Sequence, residues 1–244
     1  MKQAPKKDCQ SIVKLSYGMS GKLNNVLSLS TDCTNCKRCI ERHNSGNAKC
    51  ICVHCYAFTI LNSFKGKNML ASYRKNADVL TSRVLDYQKE IKPIAREIVS
   101  ACIKNNTDMF RIESFGDTQN VNHATNYLLL CSAIGELSYI YHVKVGLWTK
   151  NFDYYLKAIE ALSDNQKDNM KKVTNFVLSN VFIDMPYPKR IIEIVEAKLN
   201  MKVKVFNVVS MDNNNITCGA RSCEKCGRCY KHSDKTEYIT ELLK

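Results

Sequence analysis

The segment from Asn25 to Tyr56 has the sequence N-V-L-S-L-S-T-D-C-T-N-C-K-R-C-I-E-R-H-N-S-G-N-A-K-C-I-C-V-H-C-Y. Its first six residues alternate between apolar and small polar side chains, which predicts a short strand over residues 25–30. Six cysteines then follow within 23 residues: Cys33, Cys36, Cys39, Cys50, Cys52 and Cys55. We expect the fold to be organised around this strand and residues 33–56, which we call the cysteine loop.

The spacing of these cysteines indicates metal binding rather than packing. Buried cysteines behave as small hydrophobes, but core hydrophobes recur with a helix or strand period, and these cysteines do not. The C-x2-C steps allow a tight turn to direct two thiolates at one metal. A disulfide framework and a chance cluster are the alternatives, and the spacing together with a reducing compartment favours a metal or iron–sulfur site. His43 and His54 are either further ligands or surface histidines of a polar loop.

The cysteine loop contains more thiols than one metal centre needs. Three thiolates on a [4Fe–4S] cluster would leave its fourth iron open to a substrate or cofactor, whereas four or more would close the site. Zinc would instead favour closed sites with four cysteines.

The net charge and the hydropathy of the sequence indicate which kind of partner and which cellular compartment to expect. The 244-residue chain has a net charge of +13, and its residues 1–75 contain 13 Lys and Arg against 3 Asp and Glu. Such a field favours a nucleotide or nucleic acid as partner, although a thiolate-ligated cluster would itself neutralise part of the charge. No apolar run approaches the ~18 residues of a membrane helix, and no apolar signal core begins the sequence. We therefore expect a cytoplasmic protein without membrane contact.

Helical and extended periods alternate after the cysteine loop. Helices are predicted over roughly 57–104, with a break at Gly66 and a new start at Pro93, and over 121–137, 152–163 and 188–199. Strands are predicted over 109–117, 143–148, 174–180 and 203–209. This alternation predicts an α/β fold with a parallel sheet, either an open doubly wound sheet or a partial (β/α) barrel. Cys102 and Cys131 lie on apolar helix faces and are expected in the core.

A second group of cysteines follows the last predicted strand. Two successive C-x2-C steps suit either a complete all-thiolate zinc site or a four-cysteine cluster. Its members are Cys218, Cys223, Cys226 and Cys229, and we call residues 218–230 the terminal knuckle. The expected organisation is a basic lead-in over 1–22, a β/α domain over 23–212, and a segment over 213–244 containing the knuckle and a short terminal helix.

Polar residues follow each predicted strand, where the carboxyl ends of parallel strands meet beside the cysteine loop. They are Glu113, Asp117, Thr149, Lys150, Asn151, Ser179, Asn180, Asn207 and Ser210. Any of them is alternatively a helix cap or turn former. Five residues are the candidates for cofactor binding: Gly116, Asp117, Thr149, Asn151 and Ser179. The sequence has none of the phosphate-loop, dinucleotide, nucleophile-elbow or H-E-x-x-H motifs.

Four motifs in this order carry a family resemblance. They are the strand running into Cys52-V-H-Cys55-Tyr56-Ala57, then Arg111-I-E-S-F-Gly116-Asp117, then Leu147-W-Thr149-K-Asn151, and finally the terminal cysteines. Over residues 20–232 the chain resembles the phage gene-product-88-like family of phages and mobile elements, which is itself similar to radical-SAM-like proteins. The resemblance implies a partial (β/α) barrel with a [4Fe–4S] cluster after the first strand. It also implies that an open iron binds S-adenosylmethionine, whose amino group would meet Gly116 and Asp117.

The usual radical-SAM spacing C-x3-C-x2-C is absent, and Cys50-x-Cys52-x2-Cys55 stands in its place. By family position the shared ligands would be Cys33, Cys52 and Cys55, and the other cysteines of the loop either form part of another site or are spare. The leading hypothesis is a phage or mobile-element iron–sulfur protein in the host cytoplasm that acts as a redox or radical enzyme on a nucleotide or nucleic acid, with an electron donor as a further candidate partner. The alternative is a zinc-stabilised, basic nucleic-acid-binding protein without catalysis.

Overall fold

A single sheet of seven strands forms the centre of the computed structural model, which describes residues 11–19, 21–211 and 216–243. Its strands are β1 (Ser16–Tyr17), β2 (Leu27–Leu29), β3 (Met109–Ile112), β4 (Lys144–Thr149), β5 (Thr174–Ser179), β6 (Lys204–Val209) and β7 (Glu237–Leu242). β1 pairs antiparallel with β2, and every later pair is parallel.

Nine α-helices occur within the described residues. They are α1 (Lys37–His43), α2 (Tyr56–Asn62), α3 (Lys67–Ser82), α4 (Lys92–Lys104), α5 (Val121–Glu136), α6 (Phe152–Ala158), α7 (Asp164–Val173), α8 (Lys189–Leu199) and α9 (Cys223–Cys226). Short 3-10 turns at Gly21–Leu23, Ile51–His54 and Arg228–Tyr230 lie next to the cysteine groups. None of the described helices is both long enough and apolar enough to cross a membrane.

The spatial order of the strands is their order along the chain. A doubly wound sheet requires a reversal of that order at a switch point, and the described sheet has no reversal. Right-handed crossovers that always move to the next strand place their helices on one face of the sheet. The chain is therefore an α/β protein whose mostly parallel sheet is wound in one direction.

Successive side chains along each strand point to opposite faces of the sheet. Phe110, Val145 and Phe176 belong to the large core that the helices cover, which we call the helix face. The side chains that alternate with them point to the opposite face, where Val177 packs with side chains of the terminal knuckle. The helix face holds the main core, and truncating one of its buried leucines, such as Leu128, would cost ~2–5 kcal/mol.

The terminal knuckle covers part of the second face, which we call the knuckle face. The ring of Tyr230 lies directly on β4, where a Cβ at Gly146 would stand 2.9 Å from the Tyr230 Cε1 atom. Tyr230 is 2% exposed and packs with Val26 and Met109. Glycine at position 146 therefore creates the space that the aromatic ring fills.

Several sequence predictions are confirmed with trimmed ends, and others are wrong. The strand expected over 25–30 and the four later strands are present, and Cys102 and Cys131 are fully buried in the core. The terminal helix expected within 213–244 is instead β7, which pairs with β6 over six residues in parallel register. The β-formers Tyr238, Ile239 and Thr240 find a partner strand there, and a tertiary pairing of that kind overrides local helical preference.

Two further segments are more ordered than their sequences indicated. Helix α7 was not expected, although Ser163 and Gln166 form the reciprocal capping box that typically starts a helix. The lead-in was expected to contribute little core, yet Val13 is completely buried and Ser16–Tyr17 extends the sheet as β1. The part of the lead-in before residue 11 lies outside the described residues.

Candidate metal centres

The cysteine loop leaves the carboxyl end of β2, the first of the parallel strands. Five of its six thiols are buried and that of Cys55 is half-buried, and all six are free. The carboxyl edge of a parallel sheet is the edge where such folds build their sites. The fold thus brings the largest group of thiols in the chain to the edge where a site is expected.

The thiols of the loop are neighbours in space as well as in sequence. Cys33, Cys36, Cys39 and Cys55 pack together in one buried cluster. Burial, followed by the neighbouring Cys55 thiol, raises the pKa of Cys33. Burial also raises the pKa of Cys52 to about 11, against the opposing effect of two cations, and Cys52 has Cys50 and Cys55 beside it. Cys55 therefore lies near both Cys33 and Cys52, and Cys39, which packs in the same cluster as Cys33, also lies near Cys52.

The two cations that face Cys52 are Lys150 and Arg42. Burial acts to lower the pKa of Lys150, but the neighbouring Cys52 and Asp117 raise it overall. Lys150 directly follows β4, and Arg42 lies on α1. A cluster held by thiolates is anionic, so positive side chains beside the thiols favour its binding.

Helix α1 fixes the cysteine loop onto the junction between β4 and α6. Arg38 forms a bidentate pair with Asp153, with nitrogen–oxygen distances of 2.7 and 2.8 Å, and its guanidinium lies 4.1 Å from the centroid of the Tyr154 ring. Arg42 Nη2 donates to Asn151 Oδ1 at 2.8 Å. These contacts hold the loop across the carboxyl edge of the sheet.

The N-terminal end of the cysteine loop is anchored through the preceding residue, Asp32, which is completely buried. Its Oδ1 accepts hydrogen bonds from the backbone amide and hydroxyl of Thr34, at 2.7 and 2.6 Å. Its Oδ2 accepts from Arg74 Nε at 3.0 Å. The residue before the first cysteine is thus tied to helix α3.

The turn after β3 packs against the start of the cysteine loop. Gly116 has φ +90°, a conformation that residues with a Cβ rarely adopt. A Cβ there would stand 2.5 Å from the Thr31 carbonyl oxygen and 2.8 Å from Glu113 Oε2. Only glycine therefore allows this turn to approach the chain two residues before Cys33.

Asp117 links the same turn to the end of β4. Its Oδ1 accepts from Thr149 Oγ1 at 2.7 Å and from the Thr118 amide at 2.8 Å, while its Oδ2 accepts from the Lys150 amide at 2.9 Å. Asp117 is 3% exposed. The carboxylate therefore fixes two strand ends relative to each other.

Three of the five candidates for cofactor binding, Asp117, Thr149 and Asn151, share one hydrogen-bonded network, and Gly116 lies in the turn beside it. Gly116 and Asp117 form the turn, Thr149 Oγ1 accepts from the Asn151 amide at 2.8 Å, and Asn151 Nδ2 donates to the Thr118 carbonyl at 2.7 Å. Ser179 ends β5, the next strand of the sheet, and is buried. Contact of these residues with a cofactor stays a prediction.

Glu113 is the most unusual carboxyl group beside the site. It is 3% exposed and has φ +62°. Its Oε1 accepts from the hydroxyls of Thr31 and Tyr127, both at 2.7 Å. Burial raises its pKa to about 8 against those hydrogen bonds, and burial lowers the pKa of the adjacent His123 to about 3. Glu113 therefore joins the start of the cysteine loop to α5.

The terminal knuckle gathers the second group of cysteines around a small cavity. The cavity has a volume of about 20 Å³ and is lined by Cys218, Cys223, Cys226 and Cys229 together with Lys22 and Tyr230. Lys22 Nζ donates to Cys218 Sγ at 3.1 Å and also pairs with Glu241. All four thiols are half-buried and free.

Neither cysteine group is already arranged around a metal position. Across the described ranges, no three His, Cys, Asp or Glu side chains converge on a point that would hold a metal ion. Metal binding would therefore require side-chain rotation within each group. The histidines of the loop contact backbone: His43 Nδ1 lies 2.8 Å from the Cys52 carbonyl oxygen, and His54 Nε2 lies 2.8 Å from that of Ala48.

Sequence reasoning missed the cations that face the two groups of thiols. Lys22 and Arg111 lie beside the terminal knuckle, and Arg42, within the cysteine loop itself, faces Cys52. For Lys22 and Arg42 the only signal in the sequence was the excess of basic residues in the first 75 positions. For Arg111 it was the presence of a single arginine in an otherwise apolar predicted strand. No protein-family model, no curated protein and no solved structure matches the chain.

Proposed function

We propose that this chain is an iron–sulfur protein of the radical-SAM-like kind, in which the cysteine loop holds a [4Fe–4S] cluster. The observation that carries the proposal is the position of six thiols at the carboxyl end of the first parallel strand, beside the turn at Gly116 and Asp117. Thiolate sulfur is the ligand that such clusters use. The donor set of the loop therefore fits the group.

A partial (β/α) barrel is the architecture that we propose for the domain. The strands follow one another in chain order, and helices α3 to α8 contribute to one buried cluster on one face. In such barrels the loops after the strands build the site. This arrangement supports a shared site formed by the loops after β2, β3 and β4.

Cys33, Cys52 and Cys55 are the proposed cluster ligands. Cys55 lies near both of the others, and rotation of the side chains would direct the three thiolates at one cluster. When bound, such a cluster supplies an electron to a molecule held at its open iron, and S-adenosylmethionine is the molecule that we propose. Lys150 and Arg42 would offset the negative charge of the thiolates.

The turn after β3 has a defined part in this proposal. Gly116 brings the turn against the cysteine loop, and Asp117 holds it to β4. An external electron donor and an anionic partner, a nucleotide or nucleic acid, complete the proposal. The excess of Lys and Arg in residues 1–75 supports the anionic partner, and the reducing host cytoplasm is the compartment in which these thiols would stay free.

The decisive variant is Cys52→Ala combined with Cys55→Ala, made in anaerobically purified protein. We expect it to lose iron, acid-labile sulfide and brown colour. The matched control is Cys102→Ala, since Cys102 is a buried core thiol outside both groups. Full retention of iron in the double variant would refute the assignment of the ligands. A change in the paramagnetic signal of the reduced cluster on adding S-adenosylmethionine would support binding of that molecule.

The zinc-stabilised nucleic-acid-binding protein remains the second candidate. The small cavity among the terminal cysteines favours a metal ion there, and the net charge of +13 favours an anionic partner. In this case the protein would be colourless, contain about two zinc ions, and bind nucleic acid with a steep dependence on salt.

A further inference from the structure

We infer that the terminal knuckle binds one zinc ion through Cys218, Cys223, Cys226 and Cys229, separately from the cysteine loop. This inference goes beyond the proposed function because it concerns a different group of thiols on a different part of the sheet. The knuckle connects β6 to β7 and lies on the knuckle face, whereas the loop crosses the carboxyl edge.

The four thiols of the knuckle share one small cavity. All four line a space of about 20 Å³. A cavity needs roughly 10–15 Å³ to admit a single water molecule. The space therefore admits one metal ion once the thiols rotate toward it.

The sequence spacing agrees with a closed zinc site. Cys223, Cys226 and Cys229 are separated by C-x2-C steps, and α9 is a single helical turn between the first two. Four thiolates in tetrahedral geometry are a common structural zinc site. Four cysteines leave no position open for a substrate, so the site would be structural.

The surrounding charges suit the net charge of such a site. One Zn²⁺ with four thiolates carries a net charge of −2, and two cations, Lys22 and Arg111, lie beside the cysteines, of which Lys22 is also paired with Glu241. Lys22 Nζ donates to Cys218 Sγ at 3.1 Å. Arg111 lies close to Cys223 and Cys229, stacks 4.1 Å from the centroid of the Trp148 ring, and pairs with no carboxylate in the described part of the chain.

The site would fix the part of the knuckle that fills the second face of the sheet. Tyr230 directly follows Cys229 and occupies the space above Gly146. Lys22 belongs to the segment before β2, so the contact with Cys218 joins chain positions 196 residues apart. Bound zinc would thus hold the knuckle against the sheet and beside the segment before β2.

The test is zinc content per chain in the full-length protein, measured together with iron and sulfide. The variant Cys223→Ser with Cys226→Ser should lose one zinc and keep the iron of the wild type. The Cys52→Ala, Cys55→Ala variant should keep that zinc, and so should the control Cys131→Ala. Unchanged zinc in the knuckle variant, or a loss of iron and sulfide in place of zinc, would overturn the inference.

A second measurement on the unmodified protein does not depend on the folding of a variant. X-ray absorption at the zinc edge should give four sulfur neighbours at about 2.3 Å. A first coordination shell containing nitrogen or oxygen would contradict the all-thiolate site. Because the loop and the knuckle are tested by different variants, loss of the iron–sulfur proposal would leave this inference standing, and the reverse also holds.

Discussion

Gly116→Ala is the substitution that tests most sharply how the turn after β3 supports the cysteine loop. The new residue would have to adopt φ +90°, and its Cβ would stand 2.5 Å from the Thr31 carbonyl oxygen. Backbone strain costs ~1–3 kcal/mol and overpacking of a fixed neighbour costs a similar amount, so we expect a destabilisation of about 2–4 kcal/mol. For a chain of this length that corresponds to a fall in Tm of about 5–15 °C.

The assay is thermal and chemical unfolding together with iron content after anaerobic purification. The turn presses on Thr31, two residues before Cys33, so iron loading should fall along with stability. Gly219→Ala is the matched control, because a Cβ there meets no atom within 4 Å and its φ is not positive. If Gly116→Ala matches the control in both Tm and iron content, the close approach of turn and loop is refuted.

Three further experiments test the buried Glu113 carboxyl group, the Tyr230 ring and the ion pair of Arg38 on α1. Because burial raises the folded pKa of Glu113 to about 8 from its usual value near 4.5, the folded state favours the protonated acid. The free energy of unfolding of the wild type should therefore fall by up to a few kcal/mol as the pH rises from 5 to 8. In denaturant titrations, Glu113→Gln should remove most of that fall. Identical pH profiles for the two proteins would contradict the raised pKa of Glu113. In the described part of the chain the buried Tyr230 hydroxyl meets no well-aligned hydrogen-bond partner, although the Arg111 guanidinium lies close to it. Tyr230→Phe should therefore leave the unfolding free energy unchanged or slightly higher, whereas Tyr230→Ala should lose ~3–5 kcal/mol. A costly Phe variant would show that the hydroxyl is bonded to Arg111. Arg38 and Asp153 are partly exposed, and a double-mutant cycle of Arg38→Met with Asp153→Asn should give a coupling of about 0.5–1 kcal/mol that weakens in high salt. Zero coupling at low salt would show that this ion pair does not hold α1 in place.

The sequence was sufficient where a local period or spacing determined the outcome. The alternation around Leu27 and Leu29 predicted the first parallel strand, and the position of the cysteines placed the loop at its end. The buried helix faces that contain Cys102 and Cys131 followed from the helical period in the same way. These features depend on neighbours within a few residues.

Features that depend on distant partners could not be predicted. β7 forms because β6 offers a paired edge, and Tyr230 has a place in the core because Gly146 leaves space for it. The bond between Arg38 and Asp153 joins positions 115 apart, and that between Lys22 and Cys218 joins positions 196 apart. No local pattern encodes such a pairing, so the cations beside the thiols emerged only from the fold.

The balance of charge around the two groups of thiols also explains part of the basic composition. Lys22, Arg42, Lys150 and Arg111 all lie close to cysteines, where metal-bound thiolates would be anionic. Basic residues that neither face a thiol nor pair with a carboxylate remain available to an anionic partner. A nucleic-acid-binding assay over a range of salt concentrations would separate these two uses of the charge.

The most direct test of the central claim is the content of iron and acid-labile sulfide in anaerobically purified wild-type protein. A [4Fe–4S] cluster in the cysteine loop predicts about four iron and four sulfide per chain, with zinc confined to about one ion. Zinc alone, with neither iron nor sulfide, would contradict the claim and make both groups of cysteines structural.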